Sequence, residues 1–129
     1  KFSMKVEISD GELLDKLSIL EIKAIFIGEE EKLKNVNKEI EELKPLCVNL
    51  FTSREIKDDY EELKSVNLRL WEIEDSIRVK EKVKEFDEEF IRLARAVYFT
   101  NDKRAEIKKK INLFSGSYLV EEKSYSDYN

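Results

Sequence analysis

The sequence is poor in the residues that build turns, disulfides and transition-metal sites: its 129 residues include no histidine, one cysteine, one proline and three glycines. The absence of histidine and the single cysteine, Cys47, exclude a disulfide framework, a Cys/His zinc site and a histidine-based catalytic triad. The scarcity of glycine and proline argues against a β-sandwich or β-barrel, whose tight turns need these residues. What remains is an all-α bundle of four or five helices, forming a single domain over residues 1–129.

The charge balance is acidic, with 24 Lys and Arg against 29 Asp and Glu and a net charge of −5. Because nucleic-acid binding relies on clustered cations, we expect no nucleic-acid partner. The one basic block, at residues 103–110, spreads around its helix and is interpreted as a solvated face rather than an anion patch. No apolar run approaches the ~20 residues of a membrane-spanning helix, so we expect no membrane partner and a cytoplasmic location.

Apolar spacing and capping motifs predict the first two helices. A Ser-x-x-Glu capping motif at Ser9 and Glu12 opens a helix over residues 11–27. A second helix is predicted over residues 29–44, and its apolar rhythm continues past Pro45 as a kink or as a helical restart.

The third helix is predicted to begin at Arg54, after a cap at Thr52. Its apolar stripe runs on to Phe99, but an unbroken rod of that length would measure about 69 Å, too long for a monomer of this size. We therefore expect a break between Arg78 and Asp87.

The two ends of the chain are predicted from shorter signals. Residues 100–102 are interpreted as a turn and cap, followed by a last helix over residues 103–114 that Gly116 ends. Residues 4–8 alternate apolar and charged side chains, which indicates a short strand or an extended lead-in. The aromatic side chains of the tail at residues 117–129 favour docking, with residues 118–120 pairing beside residues 6–8.

The first helix is apolar nearly all round, which is typical of a helix buried on more than one side. It lies either at the centre of the bundle or against a second subunit. Asp15 and Glu21 project among its apolar side chains, and a buried carboxylate requires a partner. These carboxylates could pair with arginines elsewhere in the chain, in a buried network or in a polar cleft. The arginines are Arg78, Arg92, Arg95 and Arg104.

Polar residues beside the apolar stripe of the third helix form the strongest candidate site. Asn67, Trp71, Glu74 and Arg78 lie at helical spacing, so Arg78 could receive an anion that Asn67 orients against the indole of Trp71. The structural alternative is a surface ion pair between Glu74 and Arg78 beside a partly buried Trp71. Asp87 is interpreted as a helix cap or as a buried partner of a cation.

Two enzymatic alternatives rest on weaker patterns. Glu39-x-x-Glu42 and Glu72-x-x-Asp75 have the carboxylate spacing with which all-α nucleoside-triphosphate pyrophosphohydrolases hold Mg²⁺. Both pairs point away from the apolar stripes, and 29 acidic residues make such pairs frequent by chance. Residues 13–17 faintly resemble the opening helix of chorismate mutases, but the later arginines and lysines do not follow that family.

Longer blocks resemble a small family of bacterial and phage proteins, including marine ones, that is classed as a domain of unknown function. The similarity covers nearly the whole chain except residues 47–59. It is carried by residues 11–23, 66–78, 86–95, 97–98, 101–105, 111–112 and 116–125. The resemblance implies a one-domain protein, in some cases associated with surface-polysaccharide genes, and it brings no activity or catalytic residue with it.

We interpret the protein as an assembly or adaptor module that acts through homodimerisation and protein contacts. The alternative is a small-ligand or anion-binding protein, with or without enzymatic activity, whose groove suits a nucleotide or a nucleotide-sugar. We expect no cofactor, with Mg²⁺ as the alternative. The candidate ligand-binding residues are Glu21, Asn67, Trp71, Glu74, Arg78, Asp87, Arg95, Asn101 and Asp102.

Overall fold

The computed structural model describes residues 3–128 and contains four α-helices, so the predicted all-α bundle is confirmed. The helices are α1 (Asp10–Phe26), α2 (Glu30–Cys47), α3 (Arg54–Lys82) and α4 (Glu88–Ser115), with a single 3₁₀ turn at Leu50–Thr52 before α3. Long-range pairs such as Lys103 with Glu62 and Lys110 with Asp59 show that α3 and α4 form an antiparallel hairpin.

Helix α1 lies at the centre of the bundle and packs against α2, α3 and α4. Ser9 caps its start, because the Ser9 hydroxyl accepts the Glu12 backbone N–H at 3.0 Å. Leucines of α1 are almost fully buried in a core to which α2, α3 and α4 contribute the following side chains: Cys47, Ile56, Tyr60, Leu63, Ile107 and Ile111. The leucines of α1 are therefore covered within one chain and give no argument for a second subunit, whereas Ile25 and Phe26 at the end of α1 are 70% and 50% exposed.

Pro45 neither ends α2 nor starts a new helix, since α2 continues through it to Cys47. The proline lies in the last turn, where losing one backbone hydrogen bond interrupts the least of the helix. The Cys47 thiol is buried and donates to the Leu43 carbonyl at 3.5 Å. Burial, with a smaller effect of Glu21, raises the pKa of Cys47 to about 11, so the thiol is unreactive at neutral pH.

The predicted break between α3 and α4 is confirmed. Helix α3 ends at Lys82, Lys84 takes a left-handed backbone conformation (φ 58°), and α4 starts at Glu88. The Asp87 carboxylate caps α4 by accepting the Phe90 backbone N–H at 3.0 Å. At the start of α3, Ser53 rather than Thr52 is the cap, because its hydroxyl accepts the Ile56 N–H at 3.3 Å.

The turn predicted at residues 100–102 is wrong, because α4 runs through it without interruption from Glu88 to Ser115. Thr100 is buried at 7% exposure, and no glycine or proline interrupts the segment. A Thr-Asn-Asp sequence favours a cap only where its side chains turn back to their own backbone. Here Asn101 and Asp102 instead bond to other side chains, so the helix continues. Gly116 ends α4 as predicted, in the left-handed conformation (φ 71°).

The predicted N-terminal strand is absent from the described residues, since residues 3–8 are exposed and irregular. The C-terminal tail, residues 117–128, is likewise irregular and forms no strand with them. Side-chain contacts hold the tail against α4 and the start of α1. Within the described residues, every helix is too short or too polar to cross a membrane.

Candidate functional site

The first polar feature of the bundle is the buried carboxylate of Asp15, which is only 1% exposed. It accepts the Asn67 amide at 2.9 Å from α3, and two guanidinium N–H groups of Arg104 at 2.9 and 2.5 Å from α4. The Lys108 ammonium lies 3.8 Å away. Ser18 completes the network, because its hydroxyl accepts the second Asn67 N–H at 2.8 Å and donates to the Asp15 carbonyl. One carboxylate thus joins three helices.

The electrostatics of this network match a structural ion pair. The hydrogen bond to Asp15 raises the pKa of Arg104, so the guanidinium remains charged. The arginine is the bidentate partner that a buried carboxylate requires, and breaking such a pair leaves a buried charge unpaired. The role of Asn67, which we predicted to orient a ligand, is here to donate to Asp15 and Ser18.

The second polar feature joins the start of α1 to the end of α4. The free backbone N–H groups of Asp10 and Gly11 donate to the Ser117 hydroxyl at 3.0 Å and to the Asn112 side-chain oxygen at 2.6 Å. Asn112 is 1% exposed, and its side-chain nitrogen has no hydrogen-bond partner among the described residues. At Gly11 an added Cβ would stand 2.5 Å from the Lys108 carbonyl oxygen, so only glycine allows α1 and α4 to approach this closely.

A cleft of about 1200 Å³ lies between one face of α4 and the tail. We call it the α4–tail cleft. The lining residues on α4 follow helical spacing from Val97 to Asn112, which places them on one face over about 22 Å. The tail supplies the opposite wall with Glu121, Glu122, Lys123, Tyr125, Ser126, Asp127 and Tyr128.

Ion pairs connect the two walls of this cleft. Lys109 on α4 contacts both carboxylate oxygens of Glu122 at 2.5 and 3.1 Å, and Lys123 on the tail pairs with Asp102 on α4. Lys109 and Glu122 are both about half exposed or more (48% and 68% of the side chain), so their pair is readily exchanged. The Lys109–Glu122 pair therefore contributes little energy to holding the two walls of the cleft together.

Aromatic rings form one end of the cleft. Tyr128 meets Tyr98 and Phe99 edge-on, with ring centroids 5.3 and 5.0 Å apart, and its hydroxyl donates to Asp102. The Arg95 guanidinium lies over the Phe99 ring, 5.7 Å from its centroid. Hydrogen bonding to Asp102 raises the pKa of Tyr128 to about 12, so this hydroxyl is a donor at neutral pH.

The predicted site residues are distributed over several surfaces. Asn101 and Asp102 line the α4–tail cleft, and Arg95 lies one turn before Tyr98, which also lines it. The remaining residues hold other partners: Trp71 stacks on Phe26 at 5.5 Å, and Glu21 accepts the Tyr60 hydroxyl and lies 3.6 Å from Lys64.

Glu74 and Arg78 form an exposed ion pair at 3.3 Å, which is the structural alternative named for them. Asp87 caps α4 and lies 2.9 Å from Lys80. Ligand binding by the nine residues stays a prediction.

Sequence reasoning missed the α4 face and the tail wall. The spacing of Asn101, Arg104, Lys108 and Asn112 by threes and fours is the signal for one helix face. The turn assigned at residues 100–102 divided that face between two elements and hid it. The tail carries no periodicity, so its pairing with α4 had no local signal.

Comparison with protein families gives one match: a model described as "Family of unknown function (DUF6165)" covers residues 4–128. The chain belongs to the DUF6165 family. Comparison with curated proteins and with solved structures gives no match. The resemblance drawn from the sequence to a family of unknown function is thus confirmed, while its bacterial or phage origin stays a prediction.

In this DUF6165 protein the two carboxylate pairs that the sequence offered for Mg²⁺ lie on different helices, one on α2 and one on α3. Glu39 of α2 lies 3.5 Å from Lys16 on α1. Among the described residues, no three carboxylate or thiol side chains converge in a way that could hold a metal ion. A Mg²⁺ role for the pairs Glu39–Glu42 and Glu72–Asp75 stays a prediction of the sequence alone.

Proposed function

We propose that this DUF6165 protein binds a small anionic ligand that carries a planar ring, of the nucleotide or nucleotide-sugar class, in the α4–tail cleft. The observation that carries the proposal is the cleft itself, whose volume of about 1200 Å³ is ample for such a ligand. It combines tyrosine rings, lysine and arginine side chains and five carboxylates on one continuous surface.

The aromatic end supports binding of the planar ring. Tyr98 and Tyr128 offer ring faces and edges against which a base can pack, and Asp102 supplies a hydrogen-bond acceptor beside them. Arg95 adds a cation that takes part in no ion pair among the described residues. A guanidinium at this position can stack on a ring or bind an oxygen of the ligand.

The cationic end supports binding of the anion. Lys109 is held by the exposed Glu122 carboxylate, and Lys108 and Arg104 lie deeper, against Asp15. A phosphate carries more charge than a carboxylate and has more acceptor oxygens. It can therefore take the place of Glu122 on Lys109 without disturbing the buried network.

The separation of the two ends favours long ligands. Tyr98 and Lys109 are eleven residues apart on α4, or about 16 Å at 1.5 Å per residue. A nucleotide-sugar is longer than a mononucleotide and spans more of this distance, so nucleotide-sugars are the class to test first.

A thermal-shift and calorimetric series on the full chain tests the proposal. The probes are nucleotide-sugars, nucleoside diphosphates, the matching nucleosides without phosphate, and inorganic phosphate alone. We expect the nucleotide-sugars and nucleoside diphosphates to raise the melting midpoint. The nucleosides and inorganic phosphate, which each lack one half of the ligand, should raise it less. Lys109→Gln should weaken the binding, because it removes the exchangeable cation.

Lys103→Gln is the matched control, since Lys103 is on the same helix, is similarly exposed and does not line the cleft. It should bind as the wild type does. A series in which no phosphorylated compound stabilises the protein more than its nucleoside contradicts the proposal, and so does an equal loss in both lysine variants.

A second candidate function is that of an assembly module, the first interpretation of the sequence. The leucines of α1 do not support it, because they are covered within the chain. The connection between α3 and α4 does, because large apolar side chains there remain exposed.

A further inference from the structure

The α3–α4 hairpin extends past the rest of the bundle. The stacking of Phe26 on Trp71 marks the end of α1, and α3 continues beyond Trp71 to Lys82, or about 16 Å. Residues 81–89 are all exposed. Residues 79–91, which we call the hairpin tip, therefore have neighbours mainly within the hairpin itself.

The hairpin tip exposes four large apolar side chains. Val79 and Val83 are each 57% exposed, and Phe86 and Ile91 are each 55% exposed. Phe86 is held in place by an edge contact with the Phe90 ring at 5.1 Å. Burying such side chains against a partner is favourable by roughly 25 cal/mol per Å² of apolar surface, so the tip is suited to association.

The charges of the tip are unevenly distributed along the chain. Residues 78–84, from the last turns of α3 into the connection, carry the cations Arg78, Lys80, Lys82 and Lys84 and one acid, Glu81, whereas residues 85–92 carry the acids Glu85, Asp87, Glu88 and Glu89 and one cation, Arg92. Exposed ion pairs within the chain use several of them, and such pairs contribute little. Lys82 and Glu88 take part in no ion pair among the described residues.

We propose that the hairpin tip binds the hairpin tip of a second copy of this chain, related by a two-fold axis. In an isologous pair the same surface is used twice, so the basic end of α3 in each copy can face the acidic start of α4 in the other. A uniformly acidic or basic partner would meet like charge on one of the two helices. The self-complementary charges thus favour a second copy, which would cover the four apolar side chains.

Sedimentation velocity of the full chain from micromolar to several hundred micromolar tests this pairing. We expect the mass to rise from 15.3 kDa towards twice that value with concentration. Val83→Gln and Ile91→Gln should weaken the dimer by roughly ten-fold or more, because each removes an apolar side chain without adding a charge that the other copy would attract. Both positions are more than half exposed, so the fold is retained. Leu46→Gln is the matched control, because Leu46 is 63% exposed and lies in the last turn of α2.

A charge exchange tests the orientation of the two copies. Lys82→Glu or Glu88→Lys alone places like charges across the interface and should weaken the dimer, whereas the double variant should restore it. A mass of 15.3 kDa at every concentration overturns the proposal. A dimer that only Leu46→Gln weakens, or a double variant as weak as the single ones, overturns it as well. Ligand binding in the α4–tail cleft is tested separately and can fail or succeed independently.

Discussion

At the scale of the residue, Asp15 is the most buried carboxylate among the described residues. Its carboxylate is buried and receives donors from Asn67 and Arg104, which belong to two different helices. Glu21, the other carboxylate that the sequence placed among apolar side chains, is 27% exposed and holds a looser contact with Lys64. Periodicity predicted that both need partners. It could not rank them, because burial depends on which helices arrive opposite each position.

Asp15→Ala should lower the free energy of unfolding by about 3–5 kcal/mol, because it leaves the Arg104 guanidinium and the Asn67 amide without their acceptor. Chemical denaturation followed by circular dichroism measures the loss. Glu74→Ala is the control, since it breaks only an exposed pair with Arg78 and should change the stability by no more than about 0.5 kcal/mol. Equal losses in the two variants would show that the buried Asp15 network contributes no more to the free energy of unfolding than an exposed ion pair does.

At the scale of the element, the sequence predicted the start of α1 and the end of α4 better than the continuity of the helices. Ser9 and Gly116 act through their own backbone neighbourhood, so their positions were readable. The turn at residues 100–102 was wrong because Thr100 is buried against the bundle, which a local motif does not report. The α4–tail cleft was likewise predicted only in part. Asn101 and Asp102 were among the candidate site residues, whereas the tail wall depends on long-range contacts that a local motif does not show.

The close approach of α1 and α4 at Gly11 gives a prediction for that pair of helices. A helical Gly→Ala change ordinarily stabilises by up to about 1 kcal/mol. Gly11→Ala should instead destabilise by about 1–3 kcal/mol, because the new methyl group meets the Lys108 carbonyl. Thermal denaturation measures the loss, and Gly28→Ala is the control, since Gly28 lies between α1 and α2 and has no atom within 4 Å of the added carbon. A stabilised Gly11→Ala variant would contradict the close approach.

At the scale of the whole molecule, the start of α1 and the tail meet at the end of α4, and the hairpin tip lies at the opposite end of α4. The tail returns along α4 and is fastened at Asp102, which receives Lys123 and Tyr128. Composition predicted the all-α class, and the aromatic tail was correctly expected to dock. Its route along α4 rather than beside residues 6–8 depends on charge pairs between distant segments, which periodicity does not reveal.

The Asp102 contacts set a pH range for tail docking. The hydrogen bonds from Lys123 and then Tyr128 lower the pKa of Asp102, so their stabilisation is present above about pH 4 and is lost as the pH falls through the lowered value. The raised pKa of Tyr128, about 12, makes its stabilisation complete below about pH 10 and lost as the pH rises through 12. NMR signals of the Tyr98 and Tyr128 rings measure both limits.

Tyr128→Phe should remove the part of the alkaline limit that the Tyr128 hydroxyl supplies and keep the acidic limit, because Lys123 still contacts Asp102. Signals from the tail rings that stay unchanged in strong acid would contradict this account of docking.

The capping of α1 by Asn112 and Ser117 also orders events in time. The backbone N–H groups of Asp10 and Gly11 donate to acceptors that lie 107 and 101 residues later in the chain. On a ribosome, which adds about 5–20 residues per second, the first helix emerges long before its caps and before the α4 side chains that cover its leucines. The nascent chain therefore completes this bundle only after residue 117 has left the ribosome, and until then the leucines of α1 lack the α4 side chains that cover them.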